Sequence, residues 1–207
     1  SRLIDLEGKM VLPGLMDSHS HPVSAATHEF DHPIPDIADI PQLLDYIASR
    51  AETLPEGNWI YVRQVFITRL KEQRYPTREE LDRVAPEHPV NFSTGPDCML
   101  NSLALKLCGI DRDFQVADGQ SGELARDPAT GEPTGLLRGL GRFVKMKSPN
   151  KSPSAEERLD LVKQLFADYN SVGFTTIADR GASSGNIAIY QKIRDAGELK
   201  VRLRLSH

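Results

Sequence analysis

The chain has 207 residues, 39% of them hydrophobic and 26% charged, with 25 Lys and Arg against 29 Asp and Glu and a formal net charge of −4. This balance of apolar and charged residues excludes a disordered chain, and the length suits one ordinary domain or one domain with an insertion. The slight net acidity excludes a basic nucleic-acid binder, no apolar run approaches the ~18–20 residues of a bilayer span, and two cysteines without CxxC spacing exclude a disulfide-rich mini-scaffold.

Leu3, Ile4 and Leu6 lead through a Glu7-Gly8-Lys9 turn into Met10-Val11-Leu12, then Pro13-Gly14 and a polar cluster beginning at Asp17. This predicts the end of one strand, a turn, and a second strand near 10–16. With nothing before it to pair with, the chain reads as starting inside a sheet. No apolar signal segment precedes Lys9, so a cytoplasmic location is expected, with the N-terminus of the parent protein lying upstream.

Residues 24–153 mix short elements with loops. Leu43, Leu44, Ile47 and Ala51 recur at helical spacing after Pro41, predicting a helix over 41–53. Trp59 to Ile67 is rich in β-branched and aromatic residues and predicts a strand. Thr77-Arg-Glu-Glu is a capping box opening a short helix to Val84. Pro89 to Ser93 predicts another strand, and Leu100 to Leu107 a helix stopped by Gly109. Residues 109–135, rich in Asp and Gly, read as a surface excursion.

The last part is the most regular. Ser154 and Glu157 form a capping box, and Leu159, Val162, Leu165, Phe166 and Tyr169 mark one helix face, stopped at Gly173. Phe174 to Ala178 is a short strand ending at Asp179. Ile187, Tyr190 and Ile193 mark a second helix, and Val201, Leu203 and Leu205 alternate with Arg202 and Arg204 on a final strand. Helix, strand, helix, strand with short joints is the grammar of a parallel sheet or barrel.

Asp17-Ser18-His19-Ser20-His21 closes the first strand. Residues two apart on an extended strand share a side, so His19 and His21 can offer two imidazoles to one ion. Imidazole suits zinc, iron, nickel and manganese alike, so the spacing does not choose among them. A three-residue pattern also occurs as ordinary polar residues; its place at the C-terminal end of a strand opening a βα chain is what ties it to an active-site rim.

The stretch from Gly8 to His21 resembles the signature that opens the catalytic barrel of the metal-dependent amidohydrolase superfamily. Pro76 to Asp82, Pro86 to Val90, Asn101 to Leu105 and Gly131 to Arg138 resemble its amidohydrolase-3 branch, which includes N-substituted formamide deformylase-like enzymes. Val172 to Asp179 is similar to the second barrel strand of that branch, so the resemblance runs in order along nearly the whole chain.

The resemblance implies an α/β fold: a partial (β/α)8 TIM barrel of the metallo-dependent hydrolase type, with a large α+β insertion and a remnant of a β-sandwich. The implied division is 1–9 for the sandwich remnant, 10–23 for the first barrel strand and metal motif, 24–153 for the insertion and 154–207 for the second and third βα units. His19 and His21 are the implied ligands of a divalent metal, zinc first among the candidates. Such an ion lowers the pKa of water and polarises a carbonyl, and a carboxylate passes the proton to the leaving amine of a small amide-like substrate. Only three barrel strands find a place, near 10–16, 174–178 and 200–205, and the family's later ligands, two histidines and an aspartate, find none. The expectation is therefore a piece of a longer enzyme, inactive alone. The alternative is a non-catalytic fragment that binds a partner or forms a homo-oligomer through exposed strand edges.

Asp17 is the one catalytic candidate, with hydrogen bonding beside the ligands or capping of a turn as its plainer role. Asp97, Cys98 and Arg138 are candidates for substrate binding. Gly95-Pro96-Asp97-Cys98 stands where many members of the branch carry a Gly-His pair, and Gln64-Val65-Phe66-Ile67 replaces a frequent Trp-Asp pair. Against these roles, Cys98 beside Met99 and Leu100 reads equally as packed, and Arg138 as an ordinary surface arginine. Asp179 reads as near the site or as a helix N-cap. His28 and His32 read as solvated loop residues, His88 as surface, and His207 as a frayed end or a ligand.

Overall fold

The computed structural model describes residues 4–28, 30, 34–117, 119–146 and 152–206. They fall into two compact units, one within Ser1–Ile34 and Lys151–His207 and the other within Pro35–Asn150. The inserted unit is therefore shorter at both ends than the expected 24–153.

The first strand, β1, is Leu15–Ser20, and the helix α1, Pro22–Thr27, follows at once with His21 as its N-cap residue. The strand expected near 10–16 is thus displaced toward the C-terminus. Pairing begins where the Leu15 amide donates to the Gly173 carbonyl at 2.9 Å, and Met10, Val11 and Leu12 before it stay exposed and outside any strand. Gly14 lets the chain approach its neighbour: a Cβ there would lie 2.2 Å from Thr175 Oγ1. The described part of 1–9 likewise holds a turn and no strand.

In the second unit α2 is Ile40–Thr53, capped by Asp39, whose carboxylate accepts from the Gln42 amide. The strand β2 is Ile60–Val62, shorter than the expected 59–67, because Gln64 sits at φ 66° and turns the chain away into a 3-10 turn at Ile67–Arg69. The capping box of Thr77 and Glu80 opens α3, Arg78–Val84, as the sequence pattern predicts. Next come β3, Val90–Thr94, and β4, Asp97–Leu100, and then α4, Ser102–Cys108, ended by Gly109 in the left-handed region at φ 68°. The excursion at 109–135 is more ordered than its composition suggests. It holds β5, Glu123–Arg126, paired antiparallel with β6, Pro133–Arg138.

These strands make a five-stranded sheet in the order β2-β3-β4-β6-β5, with only β2 and β3 parallel. Leu43, Ile47, Ile60, Val62, Leu81 and Phe92 are fully buried. A second cluster gathers Trp59, Leu100, Leu105 and Leu137 with both cysteines. His88, expected at the surface, is 5% exposed; its Nδ1 lies 3.0 Å from the Asn58 carbonyl, which removes it from solvent.

The chain returns to the first unit through α5, Ala155–Ser171, opened by the Ser154–Glu157 capping box. Then follow β7, Phe174–Arg180, α6, Ser184–Asp195, and β8, Arg202–Ser206. The N-cap of α6 is Ser183, not Asp179. The three strands form a parallel sheet in the order β1-β7-β8. Val162, Phe166, Ile177, Tyr190, Ile193 and Val201 bury the helix-facing side, and each contributes about 1.5–3 kcal/mol by leaving water. Arg202 and Arg204 are exposed, as their alternation with Leu203 predicts. No described helix is long and apolar enough to cross a membrane.

Candidate metal centre

In the first unit the C-terminal ends of β1 and β7 come together, with Ser20 opposite Asp179 in the strand register. His19 is the penultimate residue of β1 and His21 the residue just beyond the strand. Their rings lie 5.4 Å apart between centroids, edge to face at 86°. His21 has a side chain 57% exposed, and its Nδ1 lies 3.7 Å from Oδ1 of Asp179. Asp17, the catalytic candidate, accepts the backbone N–H of His19 through Oδ1 at 2.9 Å and so shapes the backbone that carries the first imidazole.

Asp179 is 1% exposed. Its Oδ2 accepts the Tyr190 hydroxyl at 2.8 Å, while Oδ1 has no hydrogen-bond partner among the described residues. A buried polar atom left without a partner costs about 1–3 kcal/mol, so the arrangement is held by the packing around it. Burial first, and then the bond to Asp179, raise the Tyr190 phenol well above its ordinary range, which keeps it a donor. Ser20 is buried beside them, with Oγ 3.5 Å from the Tyr169 hydroxyl, and Arg180 donates through Nε to the Ser18 carbonyl at 3.0 Å.

This donor set fits a divalent cation as two of its ligands. Two imidazoles stand side by side at a strand end, and a buried carboxylate oxygen without a partner lies behind one of them. Among the described residues no group of three or more His, Cys, Asp or Glu side chains stands close enough to hold an ion. His32 and His207 lie outside the described residues, and His28 turns its Nδ1 to the Ala25 carbonyl at 2.9 Å.

The substrate-binding candidates belong to the second unit, where two of them meet. Asp97 accepts the Gly139 amide through Oδ1 at 3.0 Å and the Tyr75 hydroxyl through Oδ2 at 3.3 Å, with Arg138 Nη1 4.0 Å from Oδ2. The arrangement ties the start of β4 to the end of β6. Cys98 is 2% exposed within the apolar cluster, and burial, aided by the neighbouring Asp97 charge, pushes its thiol up to about 12.

Residue-by-residue reading gave no role to the pairing of Asp179 with Tyr190. The available signal was the phenol itself: Tyr190 lies on the apolar stripe of Ile187 and Ile193, and a buried tyrosine hydroxyl requires a partner.

Comparison with known proteins matches residues 2–207 to the model of the Amidohydrolase family. The chain belongs to the amidohydrolase family. It is 30% identical over 215 aligned residues to N-substituted formamide deformylase of Arthrobacter pascens, covering 100% of this chain and 39% of that protein. It is also 30% identical to the exoenzymes regulatory protein AepA of Pectobacterium carotovorum subsp. carotovorum, over 97% of this chain and 44% of that protein. The chain thus spans less than half the length of these curated relatives. Among solved structures, an uncharacterized metal-dependent hydrolase from Pyrococcus furiosus aligns over 98% of this chain and 39% of its own, at 18% identity and a TM-score of 0.46.

Proposed function

We propose that the chain carries the first metal-binding strand of a hydrolase that cleaves a non-peptide carbon–nitrogen bond in a small amide-like substrate. The observation that carries this reading is the pair His19 and His21 at the C-terminal end of β1, in a parallel sheet of a family-matched chain. Active sites of βα architectures gather at that end of the strands. On this reading β1, β7 and β8, with α5 and α6, are the opening of a (β/α)8 barrel, and the unit at 35–150 is an insertion after its first strand.

His19 and His21 would hold a divalent cation, zinc being the first candidate because imidazole ligands suit it. When bound, such a cation supplies Lewis acidity toward water and the scissile carbonyl. The chain's own groups prepare the place. Asp17 fixes the backbone at His19, and Tyr190 fixes Asp179 behind His21. Catalytic zinc sites use about three protein ligands, so hydrolysis requires ligands beyond these two imidazoles.

The test is zinc bound per chain, by elemental analysis and by titration after gel filtration in metal-free buffer. Wild-type chain is expected to bind zinc weakly, with His19→Ala and His21→Ala each reducing affinity by about ten-fold or more. Equal binding by wild type and both variants would sink the reading. An N-substituted formamide, the substrate named for the Arthrobacter pascens relative, is the first compound to assay for amine release with zinc present.

A further inference from the structure

We infer that Asp179 is the positioning residue for His21: its Oδ1 accepts the Nδ1–H of that imidazole and turns Nε2 outward toward the cation. The inference rests on the reading of His21 as a ligand and adds a residue that the histidine motif does not contain.

Four observations carry it. Asp179 is 1% exposed, so its free oxygen has no access to bulk water as a partner. Its other oxygen is occupied by the Tyr190 hydroxyl at 2.8 Å, which fixes the plane of the carboxylate. The free oxygen, Oδ1, is the one that lies 3.7 Å from His21 Nδ1. Finally, the register sets Ser20 opposite Asp179, so the next residue along, His21, leaves the strand beside the carboxylate.

The chemistry then permits one tautomer. A carboxylate oxygen that accepts from the facing imidazole nitrogen requires that nitrogen to carry the proton, and the lone pair is left on the far nitrogen. Metal-bound imidazoles are held in this way, their second nitrogen donating to a carboxylate or carbonyl that sets ring orientation. The 3.7 Å separation is longer than a hydrogen bond, and the largely exposed His21 ring has room to rotate and close it. Tyr190 completes the support from behind: it reaches Asp179 from α6, and its ring lies 6.1 Å from that of Phe166 on α5. His19 has no such arrangement, its side chain making no hydrogen bond among the described residues, and it serves as the internal control.

The measurement is a long-range proton–nitrogen correlation spectrum of the full chain labelled with ¹⁵N, metal-free and mildly alkaline, then titrated with Zn²⁺ alone. Wild type is expected to show His21 as the Nδ1–H tautomer and His19 as a mixture. Asp179→Asn, whose single remaining oxygen stays with Tyr190 and whose amide nitrogen can only donate to Nδ1, should shift His21 away from the Nδ1–H tautomer and weaken zinc binding by about 10–100-fold. Tyr190→Phe should do the same to a smaller extent. A wild-type His21 protonated on Nε2, or mixed like His19, overturns the inference, and that result needs no variant to fold. A chain that shows the Nδ1–H tautomer but takes up no zinc keeps the contact between Asp179 and His21 and overturns the metal reading.

Discussion

Each unit buries a polar side chain next to a strand end, and the two are treated differently. Asn101, 0% exposed, follows β4 in the second unit and uses its whole amide. Oδ1 accepts from the amides of Val90 and Ala104, and Nδ2 donates to the carbonyls of Ala85 and His88. Asp179, the penultimate residue of β7 in the first unit, uses one oxygen for Tyr190 and leaves the other without a hydrogen bond among the described residues. Asn101 therefore serves architecture alone, joining α3, β3 and α4, while Asp179 keeps an acceptor oxygen facing the imidazole of His21. Buried polar groups are usually satisfied, so each exception calls for a reason: Asn91 Oδ1 in the second unit is also without a hydrogen bond among the described residues, but Asp179 Oδ1 is the one that faces an imidazole.

The same contrast appears in the apolar residues. In the second unit the large side chains of α2, β2 and β3 are buried together. In the first unit Met10, Val11, Leu12, Leu15 and Met16 are all exposed by half or more, although parallel sheets are ordinarily covered on both faces. The largest expected effects break this comparison at its cores. Phe92→Ala in the second unit and Phe166→Ala in the first should each cost about 3–5 kcal/mol, since both rings are fully buried. Two reporters separate the units. The single tryptophan, Trp59, and both cysteines lie in the second, whereas the histidine pair lies in the first. Phe92→Ala should therefore speed thiol labelling of Cys98 and Cys108 and leave the His19 and His21 resonances in place. Phe166→Ala, which removes the ring beside Tyr190, should do the reverse. Equal response of both reporters to both variants would show that the two units unfold as one cooperative block.

Asn101→Ala comes next, at about 3 kcal/mol, because it removes an N-cap and strands several buried backbone groups. Urea unfolding followed by Trp59 fluorescence measures it. Asn101→Asp keeps the two accepted bonds but sets a buried carboxylate oxygen against the Ala85 and His88 carbonyls, so it should cost at least as much as Ala. An Asp variant clearly more stable than Ala would show that the accepted bonds outweigh that repulsion in holding α4 to the sheet.

Much of this was legible in the chain, for identifiable reasons. The helices α2, α3 and α5 follow from local signals, namely Pro41 with the apolar spacing after it and two capping boxes. The histidine pair was legible because its spacing is set by the backbone alone. The register of β1 was not: the apolar run predicts a strand near 10–16, yet pairing begins at Leu15, because the approach of Gly14 to Thr175 decides where the sheet starts. The hairpin of β5 and β6 was hidden by a composition rich in Asp and Gly. The pairing of Asp179 with Tyr190 was hidden because the two residues stand in different elements, β7 and α6, and meet only through the docking of that helix on its strand.

The smallest effect separates two capping boxes of the same sequence type, one in each unit. In the second unit Arg74 forks onto Glu80, Nη1 to Oε2 and Nη2 to Oε1, both at 2.8 Å, and Oε2 also accepts the Thr77 amide at 2.7 Å. Arg74 chiefly, and then the Thr77 amide, draw the Glu80 carboxyl from 4.5 down to about 2. In the first unit the partners of Glu157 among the described residues are the Ser154 groups, which lower it through the Ser154 side chain first and its amide second. A carboxylate whose folded pKa is depressed stabilises the fold above its unfolded pKa, and that contribution is lost as pH falls through the folded value. Glu80→Gln should therefore cost about 1 kcal/mol near neutral pH, consistent with a partly exposed pair joined to a cap. The gap between wild type and variant should narrow below about pH 4.5 and close near about pH 2. Glu157→Gln should lose less at neutral pH, since no arginine is involved. Urea midpoints for both variants across that range check the ordering. A Glu157→Gln loss as large as that of Glu80→Gln would mean that the Arg74 fork adds nothing to the cap.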